Sequence, residues 1–263
     1  MTNKLAFLSI LILFVFKIIA ISFTEFNLFG DEAQYWLWSK SLDLGYYSKP
    51  PLLAWFLSGH TGIFGNSILS LKTFPILVYV FISFSVYRLC LLLAFTKKNS
   101  VFCALSFILI PAASFSSFLI STDLLLLLFW TLTMIKLLET RICGSNLNFL
   151  LLGLFLGLAF LAKYAAIYFI LSLLLLIIVD RKMFIVFKSN PLGVVIFLIS
   201  LILVLAPNIF WNLNNSWITL LHTTDNANLI NLNLNLYEPL KFLSTQILMV
   251  GPVLFFSSFL LIK

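Results

Sequence analysis

Apolar runs separated by short polar breaks recur along the whole chain, and their length dictates the medium in which it folds. Leu5 to Phe23, Phe74 to Phe95, Val101 to Ile120, Pro191 to Phe210 and Leu240 to Ile262 each come close to the roughly 20 residues that a helix needs to cross a bilayer. Three shorter runs, Leu124 to Leu138, Phe149 to Ala162 and Ala166 to Val179, stand between them. In hydrocarbon the backbone must satisfy its own hydrogen bonds, so such runs become helices. They predict an all-α polytopic membrane protein of about eight spans with two large outer loops, in one transmembrane domain over residues 1–263. Composition agrees. The chain is 62% hydrophobic and 10% charged, whereas soluble domains carry about 25% charged residues.

The first run follows Lys4 and exceeds the roughly 7–15 apolar residues of a secretory signal, so it reads as a span. Lys17 lies near its outer end, where its stem is expected to snorkel, the alternative being a charge turned into the protein. Leu52 to Phe64 is apolar but short and broken by Gly59, His60 and Gly62. It suits a helix lying at the interface, with His60 an interfacial polar residue rather than a metal ligand. Asn228 to Leu236 alternates polar and apolar residues, which fits a strand, an interface-hugging stretch or compositional drift.

The formal net charge is +7, but the basic residues stand between apolar runs rather than on one basic face, so no nucleic-acid partner is implied. They orient the chain instead. With the N-terminus cytoplasmic, Lys4, Arg88, Lys97, Lys98, Lys136, Arg141, Arg181, Lys182, Lys188 and Lys263 fall inside, as the positive-inside rule asks. Glu25, Asp31, Glu32, Asp43, Asp123, Asp225 and Glu238 fall outside. Cys90, Cys103 and Cys143 come out near the cytoplasmic ends of spans, where no disulfide is expected.

The stretch from Gly30 to Phe56 gathers acids, lysines and aromatic rings between two apolar runs. Asp31 and Gln34 have capping-box spacing and Gly45 stands where a helix would stop, so Asp31 is expected to be an N-cap. A cap leaves Glu32, Tyr35, Trp36, Trp38, Tyr46, Tyr47 and Lys49 unexplained, and Pro50-Pro51 bars a helix through Lys49. The order of parts resembles the first outer loop of bacterial polyprenyl-phosphate-sugar-dependent glycosyltransferases, the family 39 and protein O-mannosyltransferase-like group with the GT-C fold. That group includes the lipid A aminoarabinose transferases. The parts are Asp31-Glu32, the aromatic helix Tyr35 to Trp38, Gly45-Tyr46, Pro50 to Leu52, and Trp55.

Further on, Asp123 follows Ser121-Thr122, and Lys163-Tyr164 sits at the tip of a helical hairpin on the Asp31 side. Taken singly, Asp123 is a helix cap and Lys163 an interfacial anchor. In order they resemble the same family, as does the Trp211-Asn212 and Trp217 pattern that precedes His222 and Asp225. The resemblance implies an inverting transfer of a sugar from a polyprenyl-phosphate donor to a cell-envelope acceptor on the outer face of a bacterial inner membrane. Such chemistry needs a base near the acceptor hydroxyl and positive charge at the departing phosphate. Carried onto this chain, Asp31 is the base, and Lys49 and Lys163 with Tyr164 are phosphate contacts. Glu32 and Asp123 position acceptor or sugar, while Tyr35 and Tyr46 offer rings.

His222 is a candidate for substrate or a divalent ion, the one cofactor left open, though no zinc or redox spacing exists and no nucleotide site is needed. Family members continue for several more helices and often a soluble domain, so the resemblance implies a truncated chain that needs a missing C-terminal partner segment. Two other classes stay open. One is a non-catalytic interaction subunit on the same fold. The other is a transporter or lipid-binding protein, which would place polar groups near the bilayer midplane, where these runs have almost none.

Overall fold

A computed structural model describes residues 3–25, 27–227, 237–251 and 255–256. Every described element is helical: α1 (Asn3–Ser22), α2 (Gly30–Trp38), α3 (Leu52–Phe64), α4 (Ile68–Leu92), α5 (Lys97–Leu109), α6 (Pro111–Ser116) and α7 (Thr122–Cys143). There follow α8 (Asn146–Ala162), a 3₁₀ turn at Tyr164–Ala166, α9 (Ile167–Val179), α10 (Arg181–Ser189), α11 (Pro191–Asn214), α12 (Ile218–Ala227) and α13 (Tyr237–Val250). Among them α4 and α11 are long and apolar enough to cross a membrane by themselves. Ile178, Val179 and Leu203 on α9 and α11 stand fully outward, an apolar surface suited to hydrocarbon. The molecule is an all-α membrane protein.

The centre is a row of packed helices, α4 on α7, α7 on α8 and α8 on α11, with α1 and α5 against α4. The closest approach is between α8 and α11. A Cβ on Gly153 would lie 2.0 Å from the Ser200 hydroxyl and 2.3 Å from the Phe197 carbonyl oxygen, and one on Gly157 would lie 2.8 Å from Val204. Gly153 and Gly157 are one turn apart on α8, the small-residue spacing that lets membrane helices touch backbone to backbone. Ser67, Thr96, Ser145, Asp180 and Asn190 each accept a backbone N–H at the head of the helix that follows them, so the chain's polar breaks are built as caps.

Several expectations change. The run Val101 to Ile120 is not one helix: Pro111, which has no N–H to continue α5, begins α6. Helix α4 begins at Ile68 rather than Phe74 because Ser67 caps it, its hydroxyl 3.1 Å from Ser70 N. Helix α11 runs past Phe210 to Asn214, so Trp211 and Asn212 belong to a helix and not to a loop. Lys17 does not snorkel. It is buried, and its ammonium donates to Ser114 O (3.2 Å), Ser114 Oγ (3.0 Å) and Ser117 Oγ (2.9 Å), because α6 brings three oxygens to its level.

His60 is buried too, with Nε2 2.8 Å from the Ser70 carbonyl oxygen, and it links α3 to α4 rather than facing an interface. Asn228 to Leu236 and most of the last expected span beyond α13 lie outside the described residues. The far end of the row is held by ion pairs: Arg141 to Asp180 (2.8 Å), Arg88 to Glu139 (3.0 Å) and Lys136 to Glu139 (2.8 Å). Asp123 opens α7 and Arg141 nearly closes it, which separates the two ends by about 27 Å at 1.5 Å per residue.

Candidate active site

Helix α2 starts two residues earlier than a cap at Asp31 would allow. Phe29 is the N-cap residue, and the Glu32 carboxylate reaches back to accept from its backbone N–H at 2.9 Å. Glu32 therefore does the capping expected of Asp31. Asp31, in the first turn of α2, is exposed, and among the described residues its carboxylate has no hydrogen-bond or ion-pair partner. It overlooks a cleft of about 380 Å³ whose walls include Tyr35, Phe115, Leu119 and Ser121.

Glu32 borders the same cleft, but its carboxylate is turned into the protein. It is 2% exposed, and both of its oxygens bind the Lys72 ammonium, at 2.8 and 2.7 Å. One oxygen also accepts from Ile120 N at 2.8 Å, and Lys72 in turn donates to the Phe118 carbonyl oxygen at 3.3 Å. Lys72 is 1% exposed and was absent from the sequence-derived site. Its signal was a lysine within an otherwise apolar helix, of the kind that a membrane protein places only where it has a partner.

Asp123 and Lys163 meet as a pair at 2.6 Å, both side chains partly open to solvent. Asp123 faces a cleft of about 370 Å³ with Tyr79 and Trp130. Lys163 and Tyr164 border another of about 290 Å³, which Lys49 and Pro50 also line. Lys49 is half-buried, and its ammonium has no polar partner among the described residues. Tyr35, itself buried, lies near enough to Asp31 and Asp123 to feel both carboxylates. Burial pushes its hydroxyl up to about 12, and the Asp31 and Asp123 carboxylates add to the rise. Asp31, Lys49, Asp123 and Lys163 thus gather at one end of the bundle, spread over three open clefts.

The remaining candidates are engaged by neighbouring side chains and backbone. The Tyr164 hydroxyl donates to Asn208 Oδ1 at 2.9 Å and accepts from Asn212 Nδ2 at 3.1 Å, while Asn208 Nδ2 donates to Leu44 O at 2.7 Å. Burial raises the pKa of Tyr164, and its hydrogen bonds to Asn212, Asn208 and Thr219 work against that rise. Tyr46 is buried, stacks on Trp38 at 4.6 Å, accepts from Asp43 N and lies 3.1 Å from the Trp38 and Ser41 carbonyl oxygens. Its ring and hydroxyl are spent within the loop, and burial raises its pKa. Thr219 on α12 donates to Tyr46 O at 2.6 Å.

Gly45 does not stop α2, which ends at Trp38. Instead it lets α11 approach, since a Cβ there would lie 2.4 Å from the Trp211 ring. His222 packs edge-on against Tyr47 at 4.9 Å. Among the described residues no three His, Cys, Asp or Glu side chains come together as a metal site.

Residues 48–211 match the family model described as dolichyl-phosphate-mannose-protein mannosyltransferase. The chain is also 32% identical over 253 residues to the lipid A galacturonosyltransferase RgtD of Rhizobium johnstonii, across 92% of this chain and 50% of that protein. It thus spans about half the length of that curated relative. No solved structure matches it. Lys49, Asp123 and Lys163 lie within the matched stretch, and Asp31 just ahead of it. On these matches the chain belongs to the dolichyl-phosphate-mannose-protein mannosyltransferase family of GT-C type membrane glycosyltransferases.

Proposed function

We propose that this chain carries the catalytic end of a membrane glycosyltransferase that moves a sugar from a polyprenyl-phosphate donor to a cell-envelope acceptor at the outer face of the bacterial inner membrane. One observation carries the reading. Of the five charged side chains between Gly30 and Phe56, Glu32 is paired with Lys72, Lys40 donates to Asn66, and Asp43 accepts from Leu44 N. Asp31 and Lys49 alone keep a carboxylate and an ammonium without a polar partner among the described residues, each beside a cleft. A glycosyl transfer asks for those two groups.

In this mechanism Asp31 takes the proton from the acceptor hydroxyl as its oxygen bonds to the anomeric carbon. The bond from that carbon to the phosphate oxygen breaks, and its electron pair leaves on the phosphate. Attack from the opposite face inverts the configuration. Lys49, with Lys163 lining the same cleft, stabilises the charge that grows on the leaving oxygen. The name of the relative makes a galacturonosyl lipid the first donor to try.

Asp31→Asn tests the mechanism. Because Glu32 and not Asp31 caps α2, the substitution is expected to leave insertion and folding intact and to lower turnover by roughly 10²- to 10⁴-fold, the contribution of a general base. Near-normal transfer by that variant removes Asp31 from the chemistry. Mass spectrometry of envelope glycoconjugates from cells with and without the gene identifies the sugar and acceptor, and identical profiles overturn the transferase reading.

A further inference from the structure

We propose that Lys72 is a positioning residue for the transfer, acting through Glu32 to hold the helix that carries Asp31 against the turn that leads into Asp123. The inference rests on the reading of Asp31 as the base. Its geometry is independent of that reading. The Glu32 carboxylate accepts from Lys72 with both oxygens, from Phe29 N and from Ile120 N, and the same ammonium donates to Phe118 O. One buried ion pair therefore joins α2, α4 and residues 118–120. On one side of the clamp Asp31 is the next residue to Glu32; on the other, Asp123 follows three residues after Ile120. Lys17 fixes the preceding turn through Ser114 and Ser117, so residues 114–120 are held from α1 and from α4 together.

Stability alone is a poor reason for such a pair. Desolvating both charges cancels much of their attraction, and apolar side chains of like volume commonly serve a buried site as well. What an apolar contact lacks is direction. Four charge-assisted hydrogen bonds to named backbone and side-chain atoms admit one arrangement of α2 and the 118–120 turn, and oil-like packing admits several. A base must lie within hydrogen-bond reach of the proton that it takes, and a displacement of about 1 Å costs on the order of 10²-fold in rate.

The test uses the whole chain in lipid nanodiscs, with Cys90, Cys103 and Cys143 replaced by Ala and spin labels at the exposed Leu37 and Phe115. The double variant Glu32→Gln/Lys72→Gln removes both charges at once, so neither is left buried and unpaired. Its label-to-label distance, narrow in the parent, is expected to broaden. In the unlabelled enzyme kcat is expected to fall about 10²-fold with KM little changed, whereas a merely structural pair would lower the folded yield without changing the turnover of the folded fraction. If the double variant fails to insert, Lys72→Arg, which keeps both charges but changes the geometry of the pair, carries the same measurements. An unchanged distance distribution overturns the clamp whatever the activity, and a broadened one with parental kcat overturns its role in positioning. A parent that transfers no sugar from any polyprenyl-phosphate donor overturns the function proposed above, while the distance measurement still decides the clamp.

Discussion

Asp31 and Glu32 are neighbours in sequence with opposite fates, one exposed and unpaired, the other buried under four hydrogen bonds from three donor groups. Successive helix residues point about 100° apart, so an acid pair at a helix start sends one carboxylate to the core and one to the cleft. The sequence pattern could name the pair but not assign its members, because that depends on where Lys72 lies in space, 40 residues away. Lys49 and Lys163 divide in a similar way: Lys163 is engaged by Asp123, and Lys49 is free for an anion. Lys49→Ala is therefore expected to act chiefly on kcat, lowering it by roughly the 10²- to 10³-fold typical of losing one donor to a developing oxyanion, since negative charge on the leaving oxygen grows as the glycosidic bond breaks. Steady-state kinetics at varied donor concentration checks this. A raised KM with unchanged kcat would make Lys49 a uniform binding contact, and parental values of both would remove it from the site.

At the scale of elements, the long apolar runs gave most of the larger helices, while the short α6, α10 and α12 and several helix ends were not legible. Leu52–Phe64 emerged as α3 with those same limits, and α8 and α9 as the two arms of the expected hairpin. Helix α4 and helix α11 each extend beyond their apolar runs because a cap or a tertiary partner supports the extra turns, Ser67 at the start of α4 and the first loop at the end of α11. Those extra turns carry residues missed or misplaced by the sequence reading, Lys72 in α4 and Trp211 and Asn212 in α11. Gly45 illustrates the same limit. Its role as a helix stop followed from local pattern, whereas its actual neighbour, Trp211, is 166 residues further along. Gly45→Ala is expected to destabilise the fold by about 1–3 kcal/mol, the usual cost of forcing a methyl into a filled site, because Trp211 would have to move off the loop. Thermal unfolding in detergent measures it. Trp211→Leu in the same chain should recover much of the loss, and purely additive effects of the two substitutions would show that the contact is not the cause.

Over the whole molecule, one arrangement explains why the charges sort as they do. Helices α7 and α8 are antiparallel neighbours, so Asp123 at the start of α7 meets Lys163 just past the end of α8, and Arg141, Glu139 and Asp180 collect at the opposite end. A single long helix thus separates the candidate site from the basic end by about 27 Å, close to the hydrocarbon thickness of a bilayer. On the proposed function, the basic end would face the cytoplasm and the site the other side of the membrane, as the positive-inside rule would have it. Helix α7 carries its own reporter for this assignment, since Cys143 is exposed at its last residue. In a chain with Asp123→Cys and with Cys90 and Cys103 replaced by Ala, a membrane-impermeant maleimide applied to intact spheroplasts is expected to label position 123 and to reach Cys143 only after permeabilisation. Labelling of Cys143 alone from outside would invert the orientation and put Asp31 in the cytoplasm, away from any outer-face acceptor. Labelling of both positions from one side would mean that α7 does not cross, and the separation of site from basic end would then need another cause than the bilayer.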